Sequence, residues 1–137
     1  MSHNCKALVL RCMDFRIKLS DFAKRLEKIG YPEGTYDLVS MAGSGKDCLS
    51  CLPGESEFLL KQIGLSSKLH CISEVVIIYH DNCGAYSIAD PKKEHETQVG
   101  DLEKITSLIN SRFPVLKVKT YIIKGTTSGQ LNLEETN

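Results

Sequence analysis

Apolar residues along this chain follow two rhythms. Continuous runs of strand length stand at Ala7-Leu8-Val9-Leu10, within residues 6–11, and at Val75-Val76-Ile77-Ile78-Tyr79, within 74–79. Such runs suit strands buried on both faces of a parallel sheet. Weaker strands are predicted over Tyr36–Met41, interrupted by Asp37 and Ser40, and over 115–123, where alternation mixes with continuous apolarity. Between the strands the period becomes helical. Leu19, Phe22, Ala23, Leu26 and Ile29 share one face of a segment starting at Ile17, Lys18, Lys24, Arg25 and Lys28 fall elsewhere, and Gly30 is placed to end it. Phe58, Leu59, Gln62 and Ile63 give a short apolar face to a helix from Glu55 that loosens at Gly64 and the Ser66-Ser67 pair. Leu102, Ile105, Leu108 and Ile109 predict a helix over 97–111, and the polar stretch 90–94 before it reads as an exposed loop or frayed turn. A turn at 125–129 leads to Leu131-Asn132-Leu133, which suits a short antiparallel edge.

Strands alternating with helices predict an α/β fold: a three-layer sandwich whose mostly parallel sheet of four to five strands is joined by right-handed crossovers. With the first and third strands adjacent and the second outside the first, the order is 2-1-3-4. Ligands in such sheets bind beyond the carboxyl ends of the strands, where strand order reverses. That rim carries the chain's chemistry. Cys12-Met13-Asp14-Phe15-Arg16 follows the first strand and His80-Asp81-Asn82-Cys83-Gly84 the third. An imidazole and a thiol two residues apart on a turn can face one point, which suits Zn2+, and Cys12 is the nearest second source of ligand.

Composition narrows the class. A chain of 137 residues, 42% hydrophobic, fits one domain over 1–137 with its own core. Lys and Arg number 17 against 17 Asp and Glu, so no polyanion is favoured and nucleic acid is not an expected partner. No apolar run has the length of a bilayer span and residues 1–6 lack the apolar core of a secretion signal, so no membrane partner is expected and the cytoplasm is the expected compartment. Six cysteines without a secretory context point to metal or catalytic use rather than to disulfides.

The two rim motifs resemble those of β-class carbonic anhydrases, which carry Cys-x-Asp-x-Arg after their first strand and His-x-x-Cys-Gly after their third. The similarity extends loosely from Lys6 to the Gly129-Gln130-Leu131 turn. The resemblance implies that Cys12, His80 and Cys83 ligate zinc and that Asp14 and Arg16 form a catalytic dyad. It implies further that Gly43 and Gly84 border the substrate, and that the substrate is CO2 or bicarbonate. Two thiolates and one imidazole would leave a neutral site with an open fourth position, where zinc acidifies a water. Asp14 would orient that water while Arg16 holds Asp14. Released from Arg16, Asp14 would itself ligate the zinc in a closed form, making the dyad a switch.

The chain also departs from the family pattern. Ser40-Met41-Ala42-Gly43 stands where Arg-Asn-Ala-Gly is usual, and Tyr79 and Asp81 flank His80 in place of a glycine and a small hydroxyl residue. Only Met1 to Cys5 precede the first strand, so the family's embracing amino-terminal helices are not expected, and a homodimer would use a sheet edge or helix face. Two rivals stand beside CO2 hydration: hydrolysis of an analogue such as carbonyl sulfide or carbon disulfide, and a zinc-binding or redox regulatory module without turnover. Cys48-Leu49-Ser50-Cys51, on the same rim, has the spacing of a redox pair or an auxiliary metal half-site. Cys5 and Cys71 read as packing residues and His3, His70 and His95 as incidental, with His95 the one that could assist proton export. Phe15, Tyr79 and Tyr86 belong either to the pocket wall or to the core. Gly43-Ser44-Gly45-Lys46-Asp47 is not a phosphate loop, because Ser40 stands where the first glycine of that pattern belongs and Asp47 replaces its Ser/Thr.

Overall fold

Every side chain of β1 (Ala7–Cys12) is buried, as befits a central strand. It pairs in parallel with β2 (Tyr36–Met41) on one side and β3 (Glu74–His80) on the other. β4 (Lys117–Lys124) extends the parallel ladder from β3, and β5 (Asn132–Glu135) closes it antiparallel. The sheet order is therefore β2-β1-β3-β4-β5, which contains the expected 2-1-3-4 and the expected antiparallel edge. These elements are those of a computed structural model, which describes residues 3–137.

Strand alternation sorts the core into two layers. Leu8, Leu10, Val75 and Ile77 share one layer with Leu59 and Ile63 of α2 (Glu55–His70) and Leu102 and Ile105 of α3 (Pro91–Arg112). Ala7, Val9, Val76 and Ile78 pack in the other layer with Phe22 and Leu26 of α1 (Leu19–Lys28). Helices cover both faces, and the carboxyl ends of β1 and β3 come out side by side at one rim.

The helices depart from the sequence expectation for identifiable reasons. α2 does not loosen at Gly64 and Ser66-Ser67 but continues to His70. Gly64 lies against the Phe113 ring, 3.6 Å from where a Cβ would be, and the Ser66 hydroxyl donates to Asp37 Oδ2 at 2.6 Å. Tertiary contacts thus override weak local propensity. α3 starts at Pro91 rather than near Thr97. Asp90 caps it by accepting the Lys92 amide at 3.0 Å, and Pro91 fills a first-turn position where no amide partner is needed. The stretch 90–94 is therefore neither loop nor frayed turn. Leu19 and Phe58, assigned to apolar faces, are 69% and 59% exposed, because the sheet beneath is reached by Phe22 and Leu26 and by Leu59, Leu60 and Ile63 instead. Cys71, expected to pack, is an exposed left-handed residue at the end of α2. Among the described residues no helix is long and apolar enough to cross a membrane.

Candidate metal centre

β1 and β3 run parallel and in register, with Arg11 opposite Ile78, so Cys12 and His80 both sit at the last position of their strands on one rim. Beyond His80 a turn through Asn82, at φ 52°, returns Cys83 to the same point. The Cys12 and Cys83 sulfurs and a ring nitrogen of His80 lie within 4.8 Å of one another, and all three residues are buried. His80 Nδ1 lies 2.7 Å from the Asp81 carbonyl, which leaves Nε2 for the sulfurs. Nε2 is buried with no hydrogen-bond partner.

The surrounding backbone favours thiolates. The Gly43 and Asp14 amides favour a charged Cys12 sulfur, and the Ala85 and Tyr86 amides a charged Cys83 sulfur. Two adjacent thiols resist ionising together unless a cation is shared between them. The neighbouring Cys83 thiol pulls Cys12 below the ordinary range, and Cys12 in turn pushes Cys83 above it. Burial by itself would lower the His80 pKa, but the Cys12 sulfur beside it outweighs burial and the net direction is up. Two sulfurs and a buried imidazole nitrogen without a partner fit a Zn2+ ion, which takes these donors and would keep a further position for water.

The neighbouring carboxylate is gripped by its own arginine. Asp14 accepts Arg16 Nε on Oδ1 at 3.0 Å, Nη2 on Oδ2 at 2.7 Å, and the Arg16 amide on Oδ1 at 2.9 Å. This fork holds the carboxyl down to about 2. Arg16 also donates to the Asn82 side-chain oxygen at 2.8 Å and the Asn82 carbonyl at 2.9 Å, which ties the dyad to the turn between His80 and Cys83. Asp14 Oδ2 stands 3.7 Å from His80 Nε2. A cleft of about 440 Å³ opens here, lined by Asp14, Phe15, Arg16, Asn82, Cys83 and Gly84 among others. Gly84 therefore borders the cleft. Gly43 is not among its lining residues but is buried behind Cys12 at φ 75°, where an added Cβ would stand 3.1 Å from the Ala85 Cβ.

Residues 2–130 match a family model described as "Putative carbonic anhydrase". The chain belongs to this family. It is 27% identical over 132 residues to an uncharacterized protein of Rickettsia conorii, covering 88% of this chain and 68% of that protein. An uncharacterized protein of Rickettsia bellii is 26% identical over 129 residues, covering 88% and 77%. The fold is shared with a carbonic anhydrase from Streptococcus mutans, at TM-score 0.67 and 15% identity, over 100% of this chain and 86% of that one. Tetrameric β-carbonic anhydrases from Sordaria macrospora include a match at TM-score 0.63 and 10% identity, over 97% and 81%.

This carbonic anhydrase family member supports its rim with residues that the sequence reading did not single out. Glu94, in the first turn of α3, accepts the Asn82 amide on Oε1 at 2.7 Å and the Cys83 amide on Oε2 at 2.9 Å. One turn on, Gln98 donates to the His80 carbonyl at 2.8 Å. Asp81 accepts the Gly125 and Thr126 amides at 2.9 and 3.0 Å, which anchors the loop after β4 to the same turn. The Asp90-Pro91 pair, as cap and first helical position, is the signal that could have revealed the start of α3 and the i,i+4 spacing of Glu94 and Gln98.

Other singled-out residues lie elsewhere. Cys48 is buried in the core on the α2 and α3 side, where burial and the charge of Asp47 push its thiol up to about 12, while Cys51 is exposed. Neither is gathered with other metal-ligating side chains among the described residues. Phe15 borders the cleft, but Tyr79 is core and packs edge-on to Tyr86 at 5.4 Å. The Tyr86 hydroxyl donates to Asp101 Oδ2 at 2.7 Å. His95 is not incidental, since its Nδ1 is 2.9 Å from Lys124 Nζ, and His3 is exposed.

Proposed function

We propose that this chain is a zinc-dependent carbonic anhydrase that interconverts CO2 and bicarbonate, acting as one domain in the cytoplasm. The observation that supports it most is the meeting of Cys12, His80 and Cys83 beside a carboxylate held by Arg16, in a member of this family. Cys12, His80 and Cys83 would hold the zinc ion, which would supply Lewis acidity towards water and a small electrophilic carbon. The remaining work belongs to the chain. Asp14, with both carboxylate oxygens accepting from Arg16, would serve as a fixed acceptor that orients the reacting water rather than as a base that removes its proton. Arg16 holds the Asp14 carboxylate, and would so keep it from ligating the metal, while Asn82 keeps Arg16 in place. Opening that fork would free Asp14 to become a fourth ligand and shut the site. The cleft lining combines apolar Phe15, Ile88 and Ala89 with the Arg16 guanidinium, a mixture that suits both an apolar gas and its anionic hydration product.

Zinc content and stopped-flow CO2 hydration, measured on one preparation, test the proposal. Cys83→Ser is expected to lose one zinc per chain together with turnover. A zinc-loaded chain without CO2 turnover would overturn the enzyme reading. Turnover of carbonyl sulfide or carbon disulfide alone would move the substrate to the analogue.

A further inference from the structure

A second group of metal-ligating side chains lies at the opposite end of the sheet. Cys5 stands just before β1, Asp37 is the second residue of β2 and His70 is the last residue of α2. One ligand atom from each lies within 4.8 Å of the others. His70 Nδ1 is 2.7 Å from Asp37 Oδ2, and the Cys5 amide donates to the His70 carbonyl at 3.0 Å, so backbone and side chains hold the group together. The Ser66 hydroxyl donates to the same carboxylate at 2.6 Å, the kind of outer hydrogen bond that orients a ligating carboxylate. A groove of about 330 Å³, lined in part by Asp37, Ser66, Leu69 and His70, opens beside it, and the Asp37 and His70 side chains remain 30% and 36% exposed.

We propose that Cys5, Asp37 and His70 form a second Zn2+ site, with its fourth position open to the groove. Thiolate sulfur, imidazole nitrogen and carboxylate oxygen are the donors zinc takes from proteins. At bond lengths of roughly 2.0–2.3 Å a tetrahedral set has its ligand atoms on the order of 3.3–3.8 Å apart. The three ligand atoms lie within 4.8 Å of one another, so binding needs the His70 and Asp37 atoms to open from their 2.7 Å hydrogen bond and the Cys5 sulfur to close on them by side-chain adjustments on the order of 1 Å. On binding, the Cys5 thiol releases its proton to solvent, and His70 ligates as a neutral imidazole through Nδ1 with its one proton carried on Nε2. One thiolate and one carboxylate then neutralise the ion. The ion would clip the segment before β1, the start of β2 and the end of α2, which are far apart in sequence and otherwise joined here by hydrogen bonds. None of its ligands belongs to the Cys12, His80 and Cys83 centre, so the site does not depend on the proposed reaction.

Metal counting on the full chain, stripped and then dialysed against limiting Zn2+, tests the assignment. The wild-type chain should hold two ions. Cys5→Ser and His70→Gln should each hold one with CO2 hydration retained, and Cys5→His, which keeps a ligand at that position, should hold two again. In a Cys83→Ser background loaded with Co2+, the thiolate-to-cobalt absorption should disappear when Cys5→Ser is added. His70 is half-exposed at a helix end, so His70→Gln is expected to fold, with circular dichroism as the check. A wild-type chain with one zinc that neither Cys5→Ser nor His70→Gln removes overturns the site, as does a second zinc that survives both. Failure of the first centre would read differently: Cys83→Ser would remove no zinc while Cys5→Ser still removed one.

Discussion

Glu94 is the side chain whose removal best separates a built centre from a chance meeting of cysteines and histidine. It is 4% exposed, and its two oxygens accept the Asn82 and Cys83 amides at 2.7 and 2.9 Å. Glu94→Ala removes both acceptors. A buried donor left without a partner costs about 1–3 kcal/mol. The Cys83 bond is buried and the Asn82 bond only partly so, which puts the first at the upper end of that range and the second at the lower. The sum is about 3–4 kcal/mol, against a total stability on the order of 10 kcal/mol for a chain of this size, so the variant should fold with a loosened turn. Glu94→Gln keeps the volume and one acceptor but presents an NH2 to the other amide, and about half the loss is expected. Because this turn carries Cys83, zinc affinity should fall by about 10–100-fold in the alanine variant, the usual effect of losing a group that orients a ligand. Urea unfolding of the metal-free chain measures the first quantity and chelator competition the second. A Glu94→Ala chain within about 1 kcal/mol of wild type, with unchanged zinc affinity, would refute the reasoning.

Asp14→Asn keeps the shape of the dyad but removes the charge that Arg16 grips, and kcat/KM for CO2 should fall on the order of 10²-fold with zinc content unchanged; near-normal turnover would remove Asp14 from the reaction. Glu74 offers a pH test far from the metal. Burial would raise its pKa, but the Tyr31 hydroxyl at 2.7 Å and the Lys119 ammonium at 3.4 Å outweigh burial and hold it below the ordinary value of about 4.5. A depressed carboxyl stabilises the fold above its unfolded value, and that contribution is lost as pH falls through the folded one. Unfolding midpoints should therefore drop below about pH 4.5 with a shallower slope in Glu74→Gln than in wild type, and superimposable acid limbs would count against the network. Cys48, pushed up to about 12, should resist alkylation in the native chain while Cys51 and Cys71 react. Rapid labelling of Cys48, or a Cys48–Cys51 bridge forming under mild oxidant, would revive the redox reading.

The sequence made the proposed metal ligands visible because each motif is local and adjoins an apolar run that can only be a buried strand. Strand order then brings two local motifs to one rim: parallel-sheet rules put ligands where the order reverses, and 2-1-3-4 is an order that makes the two motifs face each other there. What it hid was contact across elements. Glu94 and Gln98 reach the His80 to Cys83 turn from a helix whose first turn has no apolar period, and Cys5, Asp37 and His70 meet from three segments with nothing in their spacing to pair them. Leu19 and Phe58 show the complementary failure. Periodicity marks a face, but the width of the sheet beneath decides how much of that face is covered.

The same distinction decides how the departures from the family motifs should be read. Tyr79, standing where a glycine is usual, is 2% exposed and packs into the core layer beneath α2 and α3. Asp81, next to a ligand candidate and in place of a small hydroxyl residue, looks able to compete for a metal or alter its charge. Its carboxylate instead accepts two amides of the loop after β4 and is occupied by the fold. Ser40 and Met41 sit on β2 opposite Arg11 and Cys12, where they extend the ladder beside β1. Each substitution thus changes a contact between elements while the positions of Cys12, His80 and Cys83 still follow from β1, β3 and the turn that Glu94 holds. Divergence of the motif flanks therefore bears on the shape and stability of the rim before it bears on the ligand set, and Glu94, not the flanking residues, is where a change should first be felt at the metal.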